Sequence, residues 1–144
     1  MLVLSSEQDV AVTEMAETPH RATLLASDTG TGKTLMATEL AKRIDARTIL
    51  VIGPINRPVV NAWKASFENQ GVDLPFHKIT SARVGVENFQ RLADDEPGIY
   101  YVGREFMHLS ATALDPTLKK DKTWTPGRDA RWSWRMVKPD LAIF

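Results

Sequence analysis

The sequence lacks cysteine, long apolar runs and an excess of charge of either sign. Without cysteine among its 144 residues, the chain offers neither a disulfide nor a thiolate metal site. No apolar run approaches the length that crosses a bilayer, and the first residues do not follow the pattern of a secretory signal. We therefore expect a cytoplasmic protein without a membrane partner.

Histidine is scarce as well, and the three present, His20, His77 and His108, share no spacing typical of a metal site. With 43% hydrophobic and 25% charged residues, the composition is that of an ordinary globular domain. The net charge is zero, but residues 110–138 carry seven lysines and arginines against three aspartates. A local positive surplus of this kind attracts phosphate groups.

Apolar and helical patterns alternate along the chain. Residues 48–53 form a continuous β-branched and apolar run, as expected of a parallel strand that is covered on both faces. Strands are predicted at 22–26, 48–53, 76–80, 99–102 and 141–144, and helices at 6–18, 35–44, 58–69, 84–93 and 104–109. This alternation predicts an α/β fold with a mostly parallel, doubly wound sheet.

A glycine-rich segment lies between the first predicted strand and the second predicted helix, in the order that a phosphate-binding loop requires. Glycines let consecutive backbone N–H groups point into one concavity at a helix N-terminus, where the helix dipole favours anions. Lys33 would reach the β- and γ-phosphates, and the Thr34 hydroxyl would hold Mg²⁺, so these two are the predicted catalytic residues. The predicted nucleotide site comprises Ser27, Asp28, Thr29, Gly30, Thr31, Gly32, Lys33 and Thr34.

Ser27 stands where the strict motif has glycine, and this departure points to a family. A small residue followed by x-Thr-Gly-x-Gly-Lys-Thr resembles motif I of superfamily 2 helicases, of the Swi/Snf-like or DEAD/DEAH-box-like branch. The resemblance covers nearly the whole chain. It implies that residues 1–144 form the N-terminal part of a RecA-like P-loop domain that binds ATP and Mg²⁺, with 110–138 as a basic loop or insertion.

Gln8 lies 25 residues before Lys33, at a position that resembles the upstream glutamine of these helicases. The resemblance implies that its amide pairs with the N6 and N7 edge of adenine. An amide suits this task because it offers one donor and one acceptor side by side. A solvated helix glutamine is the simpler alternative.

Two segments resemble motifs with which the family contacts nucleic acid. Residues 48–63 resemble motif Ia, with Asn56 and Arg57 as contacts to the nucleic-acid backbone, although a polar turn that caps the helix explains them equally well. Trp63 in this segment is more readily a packing residue than a platform for a base. Residues 99–105 resemble motif Ib, with Arg104 as a phosphate contact or as an ordinary surface arginine.

Residues 110–138 match no motif, but tryptophans alternate there with basic residues, as on surfaces that bind single strands. A surface loop whose tryptophans pack against the domain is the alternative, and the sequence slightly favours it. The candidate phosphate contacts of this segment are Lys119, Lys120, Lys122, Arg128 and Arg131.

Residues 138–144 resemble the apolar strand that leads into motif II, whose Asp-Glu pair would follow Phe144, so Asp140 is not expected to bind metal. We therefore expect a domain that is incomplete at its carboxyl end, inactive by itself and dependent on a second RecA-like domain. The predicted function is ATP-dependent unwinding of, or translocation along, nucleic acid, with DNA favoured over RNA. A nucleotide-binding or regulatory fragment without motor activity and a P-loop ATPase unrelated to nucleic acid are the alternatives.

Overall fold

The computed structural model describes residues 2–18, 32–80, 83–104 and 137–144. Within these ranges lie α1 (Ser6–Glu17), α2 (Lys33–Arg43), β1 (Thr48–Gly53), α3 (Arg57–Asn69), β2 (Phe76–Ile79), α4 (Arg83–Ala93), β3 (Gly98–Gly103) and β4 (Leu141–Ile143). Each was predicted from the sequence, with ends that differ by at most two residues. The strand predicted at 22–26 lies outside the described residues, as do 105–109 of the last predicted helix.

The four strands form a parallel sheet in the order β2-β3-β1-β4. β1 and β3 pair over six residues, from Thr48 opposite Gly98 to Gly53 opposite Gly103, so both strands end at the same edge of the sheet. Every residue of these two strands is buried. The continuous apolar runs in the sequence reflect this burial, and the predicted α/β class with a mostly parallel sheet is confirmed.

The chain divides into two compact units. The sheet unit contains the four strands, α4 and the first residues of α3, and its core is built from side chains of β1, β2, β3 and α4, among them Ile79, Phe89 and Tyr100. Tyr100 and Tyr101 are both buried, and their hydroxyls donate to the backbone oxygens of Glu96 and Pro54. Because these bonds satisfy the hydroxyls, two aromatic rings can fill the core without leaving a buried donor unpaired.

The helical unit contains α1, α2 and α3 from Asn61 onward. Its core residues include Val12 of α1, Met36 of α2 and Phe67 of α3, all buried. The ring of Trp63 lies 6.1 Å from that of Phe67, centroid to centroid, and the side chain is half-buried, in agreement with a packing role. Across the described part of the chain, no helix combines the length and hydropathy that a membrane span requires.

Candidate nucleotide-binding site

Gly32 occupies the N-cap position of α2 in the left-handed conformation, with φ 80° and ψ 33°. Glycine adopts this conformation without the penalty that a Cβ imposes. As N-cap, Gly32 provides no side-chain hydrogen bond to the first turn, which begins with the exposed Lys33 and the half-buried Thr34. The first N–H groups of a helix have no partner within the helix, so this end of α2 has the features of an anion-binding helix start.

The charges on α2 are unusual at its first turn. α1 follows the common pattern, with Glu7 and Asp9 near its positive end, whereas α2 has no acidic residue there and begins with a lysine. A cation at this position opposes the helix dipole, at a cost of roughly 0.3 to 1 kcal/mol. The arrangement becomes favourable when an anion binds between Lys33 and the helix terminus, so it indicates a phosphate site more strongly than the glycine alone.

The side chain of Gln8, in α1, lies against the start of α2 within the helical unit. Its side-chain Oε1 accepts from the Ser5 N–H at 2.9 Å, and its own N–H donates to Ser5 Oγ at 3.3 Å, which forms a capping box at the start of α1. A Cβ added to Gly32 would lie 2.6 Å from Gln8 Nε2. The amide of Gln8 therefore packs directly against the residue that precedes Lys33.

The capping role of Gln8 was missed by the sequence analysis, although Ser5-Ser-Glu-Gln8 carries the spacing of a capping box. The amide oxygen retains a second lone pair, so the bond from Ser5 does not exclude a further hydrogen bond to a nucleobase. Recognition of adenine by Gln8 stays a prediction.

Polar side-chain contacts from Arg43 also hold α1 against α2. Arg43, in the last turn of α2, pairs with Asp9 and donates to Thr13 Oγ1 at 2.9 Å. It also contacts Glu39, one turn earlier in α2, at 3.3 Å. The pKa of Arg43 is raised, chiefly by its hydrogen bond to Asp9. These bonds fix the helix that carries Gln8 to the helix that begins with Lys33.

We expect Gly32→Ala to destabilise the chain and to weaken nucleotide binding. The left-handed backbone alone costs a residue with a Cβ roughly 1 to 2 kcal/mol, and the new methyl group would also displace the Gln8 amide from its place against position 32. Gly71 is a matched control, because it too has a positive φ, of 77°, but an added Cβ there meets nothing within 4 Å. Urea unfolding and nucleotide titration of both variants separate the two effects. Equal losses of stability and unchanged nucleotide affinity in both would contradict the assignment of Gly32.

Three of the predicted nucleic-acid contacts, Asn56, Arg57 and Arg104, lie in the sheet unit, where β1 and β3 end together. Asn56 Oδ1 accepts from the Val59 N–H at 3.0 Å and so caps α3, which is the alternative role weighed for it. Arg57 begins α3 and Arg104 follows β3, and both are exposed. Since Gly53 and Gly103 are register partners, the sheet brings these two arginines to one edge.

Tyr101 connects the two segments at that edge. Its hydroxyl donates to the Pro54 oxygen, and a Cβ on Gly53 would lie 2.7 Å from this hydroxyl. Burial raises the pKa of Tyr101, and the charge of Arg104 opposes the rise, so the phenol stays protonated and its hydroxyl remains a donor at neutral pH. Gly53 is thus required by the tyrosine that holds the end of β1 against β3.

Asp140 has a structural role at the opposite edge of the sheet. Its carboxylate accepts from the backbone N–H groups of Arg47 and Thr48 at 2.8 and 3.2 Å, and its own N–H donates to the Thr48 oxygen. These bonds join the residue before β4 to the start of β1. The remaining predicted site residues lie outside the described ranges, namely Ser27, Asp28, Thr29, Gly30, Thr31, Lys119, Lys120, Lys122, Arg128 and Arg131.

Comparison with known proteins gives one family. The family described as type III restriction enzyme, res subunit, matches residues 1–101. The matched segment includes Gln8, all of residues 27–34, the helices α1 to α4, the strands β1 and β2 and the first residues of β3. Comparisons with curated proteins and with solved structures found no match.

Proposed function

This chain belongs to the family of type III restriction enzyme res subunits, a superfamily 2 helicase-like family, and we propose that it is the ATP-binding portion of a helicase or translocase that acts on DNA. The observation that carries the proposal is the start of α2, where left-handed Gly32 is followed by Lys33 and Thr34. The α/β sheet is consistent with a fragment of a RecA-like P-loop domain. The branch within superfamily 2 is part of the proposal.

The residues of this helix start fit a triphosphate. Because Gly32 carries no Cβ, its backbone can adopt the left-handed conformation that begins α2, and Lys33 supplies a positive charge at the end of the helix that already favours anions. We propose that Ser27, Asp28, Thr29, Gly30, Thr31 and Gly32 surround the phosphates, with Lys33 and Thr34 as the catalytic residues. When bound, Mg²⁺ would neutralise charge on the β- and γ-phosphates, held on the protein side by the Thr34 hydroxyl.

Substitution of Thr34 tests this assignment through the dependence of ATP binding on Mg²⁺. Mg²⁺ should strengthen ATP binding to the unaltered chain and to Thr34→Ser, which keeps the hydroxyl, whereas in Thr34→Val the gain should shrink by about tenfold, equivalent to about 1.4 kcal/mol. A fluorescent ATP analogue titrated with Mg²⁺ or with EDTA measures the gain.

Thr38→Val is the control for loss of a hydroxyl from the same helix. Thr38 is fully buried, and its Oγ1 bonds to the Thr34 and Leu35 oxygens and to Ser66 Oγ, so the change should affect stability alone. If Thr34→Val kept the full Mg²⁺ effect, Thr34 would not be a magnesium ligand.

DNA is the proposed substrate because the family description concerns restriction enzymes. The exposed arginines at the shared end of β1 and β3, Arg57 and Arg104, are the proposed phosphate contacts in the sheet unit, together with Asn56. The basic segment is proposed to add Lys119, Lys120, Lys122, Arg128 and Arg131. A second RecA-like domain, in the same or another polypeptide, is the proposed partner for ATP hydrolysis.

We expect the double variant Arg57→Ala, Arg104→Ala to bind DNA with a weaker dependence on salt. Each neutralised phosphate contributes about 0.7 to the slope of log K against log salt concentration for single strands, so the slope should fall by about 1.4. Lys64→Ala is the control, because Lys64 is also an exposed cation of α3 but belongs to the helical unit. Fluorescence titrations with DNA and RNA oligomers of one sequence also compare the two substrates. An unaltered slope in the double variant would remove the two arginines from the interface.

A further inference from the structure

Gln70, which directly follows α3, is only 1% exposed although it carries an amide. Its Oε1 accepts from the Leu2 N–H at 3.0 Å, and its Nε2 donates to the Leu2 oxygen at 3.3 Å and to Glu39 Oε2 at 2.9 Å. Both sides of the Leu2 peptide backbone are therefore held by one side chain. Buried amides are normally satisfied in this way, but here the partner is a backbone segment 68 residues distant in sequence.

The segment that Gln70 holds has little else to fix it. Leu2 is 59% exposed and Val3 is 89% exposed, so burial of apolar surface contributes little to the position of these two residues, whereas Leu4 is half-buried. Within the described residues, the two hydrogen bonds to Gln70 anchor the backbone of Leu2. The bond to Glu39 in turn ties Gln70 to α2, the helix that begins with Lys33.

The anchored segment ends at the residue that orients Gln8. The Ser5 N–H donates to Gln8 Oε1 at 2.9 Å, and this bond decides which end of the amide faces Ser5 and which end faces Gly32. Because Gln70 fixes Leu2, three residues before Ser5, it acts on the segment that leads to the capping box of Gln8 without contacting a nucleotide.

We infer that Gln70 is a positioning residue for nucleobase recognition, because it fixes the segment that orients the amide of Gln8 beside the phosphate-binding helix. The inference rests on the proposed nucleotide-binding function. It separates two properties of the site: selectivity for the base depends on Gln70, whereas affinity for the phosphates depends on Lys33 and the helix terminus.

The test compares ADP with IDP, which differ at position 6 of the base. ADP offers an N6 donor to the Gln8 oxygen, and IDP offers a carbonyl oxygen, so the chain should prefer ADP by about tenfold, the value of one well-formed hydrogen bond. Gln8→Ala should abolish the preference. Gln70→Leu should reduce it at least about threefold while the affinity for IDP, which reports phosphate binding, stays constant.

A rescue experiment distinguishes positioning from general loss of structure. Gln70→Glu places a carboxylate beside Glu39 and should reduce the preference for ADP. In the double variant that also carries Glu39→Gln, the amide at position 39 can donate to the carboxylate at position 70, the reverse of the original bond. Part of the preference for ADP should therefore return. Asn88→Leu is the matched control, because Asn88 is also a buried amide that bonds to the backbone, at Lys78, but in the sheet unit. It should lower the stability to urea and leave the ADP preference unchanged.

Competition titrations against a fluorescent nucleotide give the ADP and IDP affinities of all variants. The inference is supported if Gln70→Leu lowers the preference, the double exchange restores it, and Gln70→Leu has no further effect in the Gln8→Ala background. If Gln8→Ala abolishes the preference but Gln70→Leu retains it, the inference is overturned and the proposed function stands. If the unaltered chain binds neither nucleotide, the proposed function fails and the inference falls with it.

Discussion

ATP turnover by the 144-residue chain is expected to equal that of its Lys33→Ala variant, with or without DNA. Hydrolysis by a motor of this class requires an acid that binds Mg²⁺, a carboxylate that orients the attacking water and an arginine that stabilises the transferring phosphoryl group. Removal of one such stabilising group typically lowers kcat by about 10² to 10⁵. We propose that the chain supplies the phosphate cradle and that these three groups come from elsewhere.

The described carboxylates of the sheet unit support this expectation. In parallel α/β sheets, ligands bind at the carboxyl ends of the strands. An acidic cluster at the amino edge of the sheet precedes β3 and consists of Asp94, Asp95 and Glu96. At the same edge, the Asp140 carboxylate accepts hydrogen bonds from the backbone N–H groups of Arg47 and Thr48. Among the described residues, no carboxylate directly follows a strand. Glu105 lies outside the described ranges.

Phosphate release by the purified chain measures the turnover, and the Lys33→Ala variant reports any contaminating ATPase. Turnover that exceeds this background would contradict the expectation. In that case Glu105→Gln is the first variant to examine, because Glu105 comes two residues after the end of β3.

The fold was predictable to the extent that it is encoded in local patterns. Residues 48–53 read as a strand covered on both faces because they lack polar alternation, and residues 99–102 were predicted as a strand after the Pro97-Gly98 turn. Both pair at the centre of the parallel sheet. The helix after the glycine-rich segment was predicted from apolar residues at helical spacing, and its predicted start at residue 35 is two residues later than the start of α2.

The features that were missed depend on contacts between distant residues. Gln70 reads as an ordinary polar residue at the end of a helix, and its burial results from hydrogen bonds to Leu2 and Glu39 that no local pattern specifies. Asn56 was ambiguous for a different reason, because one polar residue before a helix suits a cap and a nucleic-acid contact equally well. The structure shows the cap, and a cap does not exclude the contact.

Lys33→Ala is expected to lower the affinity for ATP by at least about tenfold. Lys33 is the cationic side chain at the positive end of α2, and charge-assisted hydrogen bonds to phosphate are worth roughly 1.5 to 3 kcal/mol, or about tenfold to more than a hundredfold in affinity. The substitution should not destabilise the protein, because it removes a cation that opposes the helix dipole.

Lys42→Ala is the control for removal of a lysine from the same helix. Lys42 is exposed in the last turn of α2, where a positive charge is favourable to the dipole and distant from the helix start. This variant should lose a little stability and keep its affinity for ATP. Lys33→Ala should therefore lower ATP affinity without a loss of stability, whereas Lys42→Ala should lower stability slightly without a loss of ATP affinity.

Calorimetric titration of MgATP into the unaltered chain, Lys33→Ala and Lys42→Ala tests the phosphate-binding assignment most directly. We predict saturable binding to the unaltered chain and to Lys42→Ala, and a loss of at least about tenfold in affinity for Lys33→Ala. Equal binding of MgATP by all three proteins would contradict the assignment of a nucleotide site to the start of α2.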